Sequence, residues 1–475
     1  MDNTNIKKSV YFMGIGGTGM AATAGLCQEA GFDVSGSDMN IYPPMSELLE
    51  ELNIKVKTPY RPENLDHQSP DIVVIANALS RGHPELEEAI KKKLNISSFP
   101  ALIEEHFLAN KEPIVIAGTH GKTTTSSYVA HVLEELGEKP SFLIGGIPKN
   151  FPRSFRLTKG QYFVLEGDEY DTSYFDKAPK FLHYKPSWAI VNNIEFDHAD
   201  IYQSLQEISE RFKELLRLVA KPERIIVNSD DKNILKCLED LDIRDKVTTT
   251  SIKKGNDADV QLLNYQANPT HWTVEFETKS FGRLQLDTTL TGMHNLSNTA
   301  QVLALVDKIN LNNISKKSLV EAFKTFQGVS RRLELLSETK GVSIYEDFAH
   351  HPTAVSSVIN GFRQSHPKKR ILVAFEPRNA TSRRNIFAKQ FAKALGKADL
   401  VYIGCCPDDN RIAEEEKMNT EQLAKNIGSK AKAFRTNEDL LSRVAKDLKI
   451  GDAIIFMSCG SFSGIQHKLS EAIDS

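Results

Sequence analysis

The segment from Gly118 to Thr124 carries the strongest chemical signal in the sequence. It stands between an apolar run at 113–117, which predicts a strand, and a stretch at 124–136 that predicts a helix. A glycine-rich turn in this position can hold the β- and γ-phosphates of ATP or GTP with backbone amides and Lys122, while the Thr123 hydroxyl reaches Mg²⁺. The predicted nucleotide-binding residues are Gly118, Thr119, His120, Gly121, Lys122, Thr123 and Thr124.

Two polar segments follow strand-like runs farther along the chain, where a phosphate-loop enzyme places its metal ligands. An acidic segment that begins at Glu166 follows the run 162–165, and a segment that contains His198 follows the run 188–192. A solvated turn and a paired surface histidine are the plain alternatives. With the phosphate loop upstream, the pattern favours Mg²⁺ binding by Glu166 and Thr123.

A second glycine-rich turn lies near the start of the sequence. It follows a strand-like run at 9–13, opens a predicted helix, and matches GxGxxG at Gly14, Gly16 and Gly19, with Asp38 at the end of the next predicted strand. Glycines let backbone amides approach a diphosphate at a helix N-terminus. A dinucleotide, another nucleotide diphosphate and a turn without ligand are all compatible with the pattern. The predicted binding residues are Gly14, Gly16, Gly17, Thr18, Gly19, Ser37 and Asp38.

Three later motifs have both a chemical and a structural interpretation. Asn295 starts a predicted helix and could cap it or read the edge of adenine. The pair Arg331-Arg332 could be solvated or could clamp phosphates. The pair His350-His351 has no cysteine or histidine at zinc spacing, which argues against zinc.

The elements that must position these residues form an α/β pattern that starts three times. The length of 475 residues, at roughly 150 residues per domain, predicts about three domains. The first and third stretches alternate strands and helices, as in Rossmann-like parallel sheets, and the second adds short alternating strands between Val247 and Thr291 that look antiparallel. The predicted domains are 1–110, 111–332 and 333–475.

Composition excludes several classes of protein. With 59 basic and 62 acidic side chains, the net charge of −3 argues against a nucleic-acid partner. Five scattered cysteines form no disulfide framework. No apolar run approaches the roughly 18 residues of a membrane helix, and the first eight residues lack the apolar core of a signal peptide. We therefore expect a cytoplasmic protein without a membrane partner.

Taken together and in this order, the motifs resemble those of the Mur ligase family over essentially the whole sequence. That family comprises three-domain, ATP-dependent, amide-bond-forming enzymes of peptidoglycan metabolism. The resemblance implies a Rossmann-like N-terminal domain, a central phosphate-loop domain and a Rossmann-like C-terminal domain. The segments that carry it are Gly118 to Thr124, Glu166-Gly167-Asp168-Glu169, Asn193-Ile194-Glu195-Phe196-Asp197-His198, His294-Asn295, Arg331-Arg332 and Asp347-Phe348-Ala349-His350-His351-Pro352.

Two branches of the family share the glycine-rich N-terminal turn, which the resemblance assigns to the UDP part of UDP-N-acetylmuramate and not to NAD. One branch adds L-alanine in de novo peptidoglycan synthesis, and the other reattaches the tripeptide L-alanyl-γ-D-glutamyl-meso-diaminopimelate in peptidoglycan recycling. The resemblance favours the tripeptide reaction, with L-alanine addition as the alternative. The segments similar to the recycling branch are 36–46, 77–82, 169–177, Phe375-Glu376-Pro377-Arg378 and Met457-Ser458-Cys459-Gly460.

The resemblance also implies roles for single residues, with ATP and Mg²⁺ as cofactors. The implied catalytic residues are Lys122, Glu166 and His198. The implied metal ligands are Thr123, Glu166 and His198. Adenine would contact Asn295, the phosphates and ribose would contact Arg332 and Asp347, and a peptide carboxylate would contact Arg378.

Other classes of protein account for less of the sequence. A nicotinamide-dependent dehydrogenase explains the stretch from Gly14 to Asp38 but leaves the phosphate loop without a purpose. An ATP-driven switch or binding protein without a ligase step is the third class. Lys213 stands 15 residues beyond His198, where some members of the family carry a carbamylated lysine, although the two branches above do not rely on it.

Overall fold

Three β-sheets, built from successive stretches of chain, organise the molecule. The structure is a computed structural model that describes residues 7–66, 69–309, 314–406 and 412–474. Each sheet carries its own helices, so the predicted three-domain α/β architecture is confirmed. No helix in these described ranges is long and apolar enough to cross a bilayer.

The N-terminal domain contains a parallel sheet of order β3-β2-β1-β4-β5 among its described residues. Both faces of β1 are covered, because Val10 and Phe12 pack into one apolar cluster while Tyr11 and Met13 pack into another. Burial on both faces is typical of parallel sheets. The elements are β1 (Ser9–Met13), α1 (Thr18–Glu29), β2 (Asp33–Ser37), α2 (Met45–Glu51), β3 (Lys55–Lys57), β4 (Ile72–Ile75), α3 (Pro84–Lys91), β5 (Ile96–Ser97) and α4 (Phe99–Phe107).

The central domain contains the largest sheet, of order β15-β14-β13-β12-β11-β10-β6-β9-β7-β8 in the described chain. The elements are β6 (Glu112–Ala117), α5 (Lys122–Glu135), β7 (Ser141–Leu143), β8 (Phe155–Arg156), β9 (Tyr162–Gly167), β10 (Trp188–Val191), α6 (Leu205–Leu218), β11 (Ile225–Asn228), α7 (Lys232–Asp240), β12 (Thr248–Ser251), β13 (Val260–Ala267), β14 (Trp272–Thr278), β15 (Gly282–Thr288), α8 (Met293–Lys308) and α9 (Lys316–Lys324).

One detail of the expected central domain is wrong. The expected antiparallel region begins at Val247, but β12 pairs in parallel with both β11 and β13. Only β13, β14 and β15 form the antiparallel extension, which continues the parallel sheet at its edge. The short polar strand β12 carries no pattern that reveals its direction, because the direction depends on the connection and not on the side chains.

The C-terminal domain contains a sheet of order β16-β17-β21-β18-β19-β20 among the described residues. Only β16 runs antiparallel to its neighbour within this described sheet. The elements are β16 (Glu334–Thr339), β17 (Val342–Asp347), α10 (Pro352–Ser365), β18 (Ile371–Phe375), α11 (Ala388–Leu395), β19 (Leu400–Ile403), α12 (Thr420–Ile427), β20 (Ala431–Ala433), α13 (Asn437–Asp447), β21 (Ala453–Met457) and α14 (Ile465–Asp474).

The order of the central sheet decides where the polar segments meet. Strands β10, β6 and β9 are parallel neighbours, so their carboxyl ends lie on one edge. The phosphate loop follows β6, the acidic segment follows β9 and the His198 segment follows β10. Ligand sites of open α/β sheets lie outside the carboxyl ends of the strands. This edge is therefore where the fold gathers the predicted catalytic residues.

Candidate active site

The phosphate loop connects β6 to α5, and α5 begins at Lys122 as a strand–loop–helix arrangement requires. Gly121 has a φ of +82°, and a Cβ there would lie 2.8 Å from the Asn192 Nδ2 and Asn298 Oδ1 atoms. Only glycine fits this turn without displacing both amides. The segment after β10 also holds the loop, since the His120 N–H donates to Asn193 Oδ1 at 2.8 Å.

Lys122 is held in place by an acidic partner that the sequence analysis did not assign. Its Nζ donates to the Gly118 carbonyl oxygen at 2.8 Å and to Glu169 Oε2 at 2.7 Å. Burial alone lowers the pKa of Lys122, but the charges of Glu169 and Asp168 outweigh it and raise that pKa. The lysine is therefore a fixed positive charge at the start of α5, where phosphates bind.

Glu166 and Thr123 meet as predicted. The Thr123 hydroxyl donates to Glu166 Oε1 at 3.0 Å, and the Gly145 N–H donates to Oε2 at 2.8 Å. Burial raises the pKa of Glu166, and the charge of Lys122 offsets this only in part. A half-buried carboxylate beside a threonine hydroxyl suits a hard divalent cation with oxygen ligands.

His198 lies in a second acidic group, next to Glu169 and Asp168. Its Nε2 lies 3.3 Å from Glu169 Oε1, and these three side chains offer ligand atoms within 4.8 Å of one another. Burial alone lowers the pKa of His198, but the hydrogen bond to Glu169 and the acidic charges raise it to about 9. The structure thus brings His198 to Glu169, while Glu166 is paired with Thr123.

The Asn295 side chain does not cap α8. The residue before the helix is Gly292, and Asn295 Nδ2 donates to the Thr291 carbonyl oxygen at 2.8 Å. Asn295 Oδ1 accepts from Asn298 Nδ2 at 3.1 Å. Since Asn298 also lies against Gly121, the two amides connect the start of α8 to the phosphate loop. Contact with adenine therefore stays the prediction for Asn295.

Arg332 reaches across to the phosphate loop. Its Nη2 donates to the Thr123 hydroxyl at 3.3 Å, and its guanidinium lies 4.8 Å from the centre of the Phe348 ring. Asp347 is buried nearby and accepts from the Leu333 and Ala349 N–H groups, each at 2.7 Å. The structure therefore brings Arg332 and Asp347, the two predicted contacts for phosphate and ribose, to the edge of the site.

Arg378 follows β18, at the carboxyl end of this strand of the C-terminal sheet. Its Nη1 is 3.4 Å from Glu376 Oε1, and its side chain is 43% exposed, so the guanidinium is open to a ligand. Glu376 is buried and accepts from the Ser458 hydroxyl at 2.5 Å. Gly460 packs directly on Arg378, where a Cβ would lie 2.1 Å from Cδ. Gly460 also accepts from Arg331 through its carbonyl oxygen, so Arg378 and Arg331 contact the same residue.

The N-terminal glycine turn has the predicted geometry, and α1 begins at Thr18. Asp38 Oδ2 accepts from the Gly16 N–H at 2.8 Å, so the carboxylate predicted from its spacing does face the turn. Ser37 donates to the buried Glu85. The N-terminal domain meets the acidic segment through Asn77 Nδ2, which donates to Asp171 Oδ1 at 2.8 Å.

Two acidic residues with central positions, Glu169 and Glu195, carried no assigned role in the sequence analysis. Glu169 partners Lys122 and His198, and Glu195 Oε2 lies 3.1 Å from His120 Nε2. Their location directly after β9 and β10 was a usable signal, but their partners are 29 to 75 residues away in sequence. Lys213 lies elsewhere, between Glu210 and Asp240.

Comparison with known protein families gives a match for each of the three domains. Residues 9–111 match the model described as Mur ligase family, catalytic domain, residues 116–306 match the Mur ligase middle domain, and residues 331–460 match the Mur ligase glutamate ligase domain. Together these matches cover well over half of the chain.

Individual relatives match over nearly their whole length. The chain is 34% identical to the UDP-N-acetylmuramate–L-alanyl-γ-D-glutamyl-meso-2,6-diaminoheptandioate ligase of Escherichia coli K12, with 98% of each chain covered. It is 31% identical to the UDP-N-acetylmuramate–L-alanine ligase of Aquifex aeolicus, with 96% of each covered. A crystal structure of a murein peptide ligase from Psychrobacter arcticus superposes with a TM-score of 0.73 at 30% identity over 98% of each chain. The chain therefore belongs to the Mur ligase family of ATP-dependent amide ligases.

Proposed function

We propose that this ligase joins UDP-N-acetylmuramate to L-alanyl-γ-D-glutamyl-meso-diaminopimelate, with ATP converted to ADP and phosphate. The observation that carries the substrate assignment is the 34% identity over 98% of the chain to the Escherichia coli ligase named for this reaction. An arginine after β18, open to a carboxylate, supports a peptide acceptor with acidic groups.

In the proposed reaction, an oxygen of the lactyl carboxylate attacks the γ-phosphorus of ATP, the bond to the β-phosphate oxygen breaks, and ADP leaves. The amine of L-alanine in the tripeptide then attacks the acyl carbon of the acyl phosphate. Inorganic phosphate leaves with the bonding electron pair and the amine loses a proton, so an amide remains. Both steps bring anions together and need fixed positive charge.

Lys122 supplies that charge from this chain. Its ammonium is fixed between the Gly118 carbonyl oxygen and Glu169, so little reorganisation accompanies the transfer of negative charge to the phosphoryl oxygens. Arg332 adds a second cation at Thr123. Asn295 and Asn298, joined to each other beside Gly121, are the proposed contacts for adenine.

Thr123 and Glu166 would hold one Mg²⁺, and His198 with Glu169 would hold a second. The half-buried Glu166 carboxylate, with its raised pKa, and the buried Glu169 Oε1, which lies 3.3 Å from His198 Nε2, both offer oxygen atoms that fit a cation. Bound there, the metal would neutralise the phosphates and the attacking carboxylate.

We assign the UDP-sugar to residues 1–110, ATP and metal to 111–332, and the peptide to 333–475. The contacts between Asn77 and Asp171, and between Thr353 and Glu195, support this division, since the N-terminal and C-terminal domains both touch segments that follow β9 and β10 of the central sheet. Closure of the domains would exclude water that otherwise hydrolyses the acyl phosphate.

A phosphate-release assay tests the proposal. With ATP and Mg²⁺, release is expected only when UDP-N-acetylmuramate and the tripeptide are both present, and the Lys122→Ala variant serves as the inactive control. Release that is indifferent to either substrate contradicts the ligase reaction. L-alanine addition is the second candidate, because the Aquifex aeolicus relative of that name is 31% identical over 96% of the chain.

A further inference from the structure

Three side chains with metal-ligating atoms meet where the C-terminal domain touches the phosphate loop. His120 lies in the loop itself, Glu195 follows β10, and His351 is the residue before α10. One ligand atom from each lies within 4.8 Å of the other two. Two of these residues belong to the central domain and one to the C-terminal domain, so the group exists only when the two domains are in contact.

The distances within this group fit a tetrahedral metal ion. His120 Nε2 lies 3.1 Å from Glu195 Oε2, and His351 Nδ1 lies 3.5 Å from the same oxygen. Ligands about 2.05 Å from a tetrahedral Zn²⁺ stand roughly 3.4 Å from one another. A metal can therefore enter between the three side chains with small movements.

The surroundings fix the histidine rings and leave an opening. The His120 and His351 rings lie 4.5 Å apart, and Phe387 packs on His351 at 5.0 Å. The His351 side chain is 6% exposed, whereas Glu195 is 34% exposed, so solvent reaches the group from the side of the carboxylate. His351 Nε2 is buried and has no hydrogen-bond partner in the part of the chain that the structure describes.

A metal would replace two hydrogen bonds of the group, of which the first joins His120 Nε2 and Glu195 Oε2 at 3.1 Å. The Thr353 N–H donates to His351 Nδ1 at 3.3 Å, which is long for a hydrogen bond. The Thr353 hydroxyl donates to Glu195 Oε2 at 2.7 Å, so the carboxylate keeps a supporting partner that orients it. Three protein ligands with a fourth position open to water are typical of zinc sites that are not closed, four-ligand structural sites.

The donor set selects the class of metal. Two imidazole nitrogens and one carboxylate oxygen suit Zn²⁺ and neighbouring transition metals, whereas Mg²⁺ prefers oxygen ligands only. The absence of zinc spacing in the sequence concerns only cysteines and histidines close to His350-His351 along the chain. It does not reach this group, because the partners of His351 come from another domain.

We propose that His120, Glu195 and His351 form a binding site for a divalent transition-metal ion, Zn²⁺ by its donor set, that fastens the C-terminal domain to the phosphate loop. This site is separate from the Glu166 and His198 groups of the proposed function. An ion bound there restrains the loop through His120 and opposes the opening of the domains. Zn²⁺ therefore acts as an inhibitor of turnover at this site.

Zinc binding to the full chain, measured by isothermal titration with Zn²⁺ alone and without nucleotide, tests the proposal. One tight site is expected, and millimolar Mg²⁺ does not displace the ion. His351→Asn removes the imidazole but keeps a residue that caps α10, and Glu195→Gln removes the charge from the other domain. Each variant is expected to weaken Zn²⁺ binding at least about tenfold. The Zn²⁺ concentration that inhibits turnover, measured against the rate of the same variant without Zn²⁺, is expected to rise by the same factor.

A matched control is His183→Asn, since His183 also lies between two carboxylates, Asp176 at 2.7 Å and Glu104 at 3.6 Å. This variant is expected to bind Zn²⁺ like the unsubstituted chain. The proposal is overturned if Zn²⁺ does not bind, if His183→Asn weakens binding as much as His351→Asn, or if His198→Asn abolishes binding that both Glu195→Gln and His351→Asn retain. If His351→Asn does not fold, Glu195→Gln alone decides between these results.

Discussion

The Glu169 carboxylate bridges Lys122 and His198, with Oε2 2.7 Å from the lysine Nζ and Oε1 3.3 Å from the histidine Nε2. One buried acid thereby holds the cation of the phosphate loop and the histidine of the neighbouring strand end in a single group. Without nucleotide, it is the counter-ion of a lysine that is itself 13% exposed. Together with the Gly118 carbonyl oxygen, Glu169 holds the lysine ammonium at the start of α5.

Glu169→Gln tests this bridge by removing its charge with little change of shape. Because a buried cation then loses its partner, we expect a loss of about 3 kcal/mol in the free energy of unfolding of the central domain. Urea denaturation followed by circular dichroism measures it. Glu277→Gln is the control, since its pair with Arg283 is exposed and should change stability by less than about 1 kcal/mol. Equal losses in both variants would contradict the bridge.

Lys122→Ala removes the fixed charge at the start of α5. We expect turnover to fall by at least 10²- to 10³-fold, on the scale of one preorganised contact to developing charge. Binding of UDP-N-acetylmuramate, measured by calorimetry, should stay within about twofold because the proposed sugar site lies in another domain. Loss of that binding would contradict the division of labour between the domains.

His131 predicts a pH dependence of stability. Its side chain is buried on α5, its Nε2 lies 3.0 Å from the Thr325 hydroxyl, and burial lowers its pKa to about 4. The unfolded chain takes up this proton near pH 6.5 while the folded chain does not, so stability is complete above pH 6.5 and declines as the pH falls toward 4. The decline attributable to this group is on the order of 3 kcal/mol.

His131→Gln should remove that part of the pH dependence. Unfolding is measured by urea titration at several values between pH 7 and pH 4, and the variant is expected to show the flatter curve. His271→Gln, at an exposed position, is the control and should keep the original slope. A slope unchanged by His131→Gln would show that the buried imidazole is not the source.

Arg378→Ala should affect the peptide and not the nucleotide. Loss of one charge-assisted contact to a carboxylate costs about 1.5 to 3 kcal/mol, or roughly 10- to 150-fold in kcat/KM for the tripeptide. The KM for ATP should remain unchanged. The control is Arg443→Ala, which removes a surface pair with Asp447 in the same domain. A rise in the KM for ATP alone would contradict the peptide role.

Local patterns were sufficient to predict most of the fold. The apolar runs that predict β1, β6 and β10 lie within a residue of the observed strands, because each strand is buried on both faces and is bounded by glycine or polar residues. Short edge strands such as β3, β5 and β20 escaped prediction, since two or three residues carry no usable periodicity. The direction of β12 depended on chain connections that side chains do not encode.

The candidate site was predictable at the level of segments and less so at the level of contacts. The phosphate loop, Glu166 and His198 each follow a predicted strand, and the parallel strands β6, β9 and β10 bring them to one edge of the sheet. It could not tell which carboxylate faces Lys122, and the structure selects Glu169. Contacts between domains, such as that of His351 with His120, were not accessible at all, because they depend on how separately folded units dock.

The most direct test of the proposed function is a competition between the two acceptor substrates. The purified chain is supplied with ATP, Mg²⁺ and UDP-N-acetylmuramate, together with equal concentrations of L-alanine and L-alanyl-γ-D-glutamyl-meso-diaminopimelate, and the products are quantified by mass spectrometry. The account predicts that the UDP-N-acetylmuramoyl tripeptide is the predominant product. Predominance of UDP-N-acetylmuramoyl-L-alanine would contradict it.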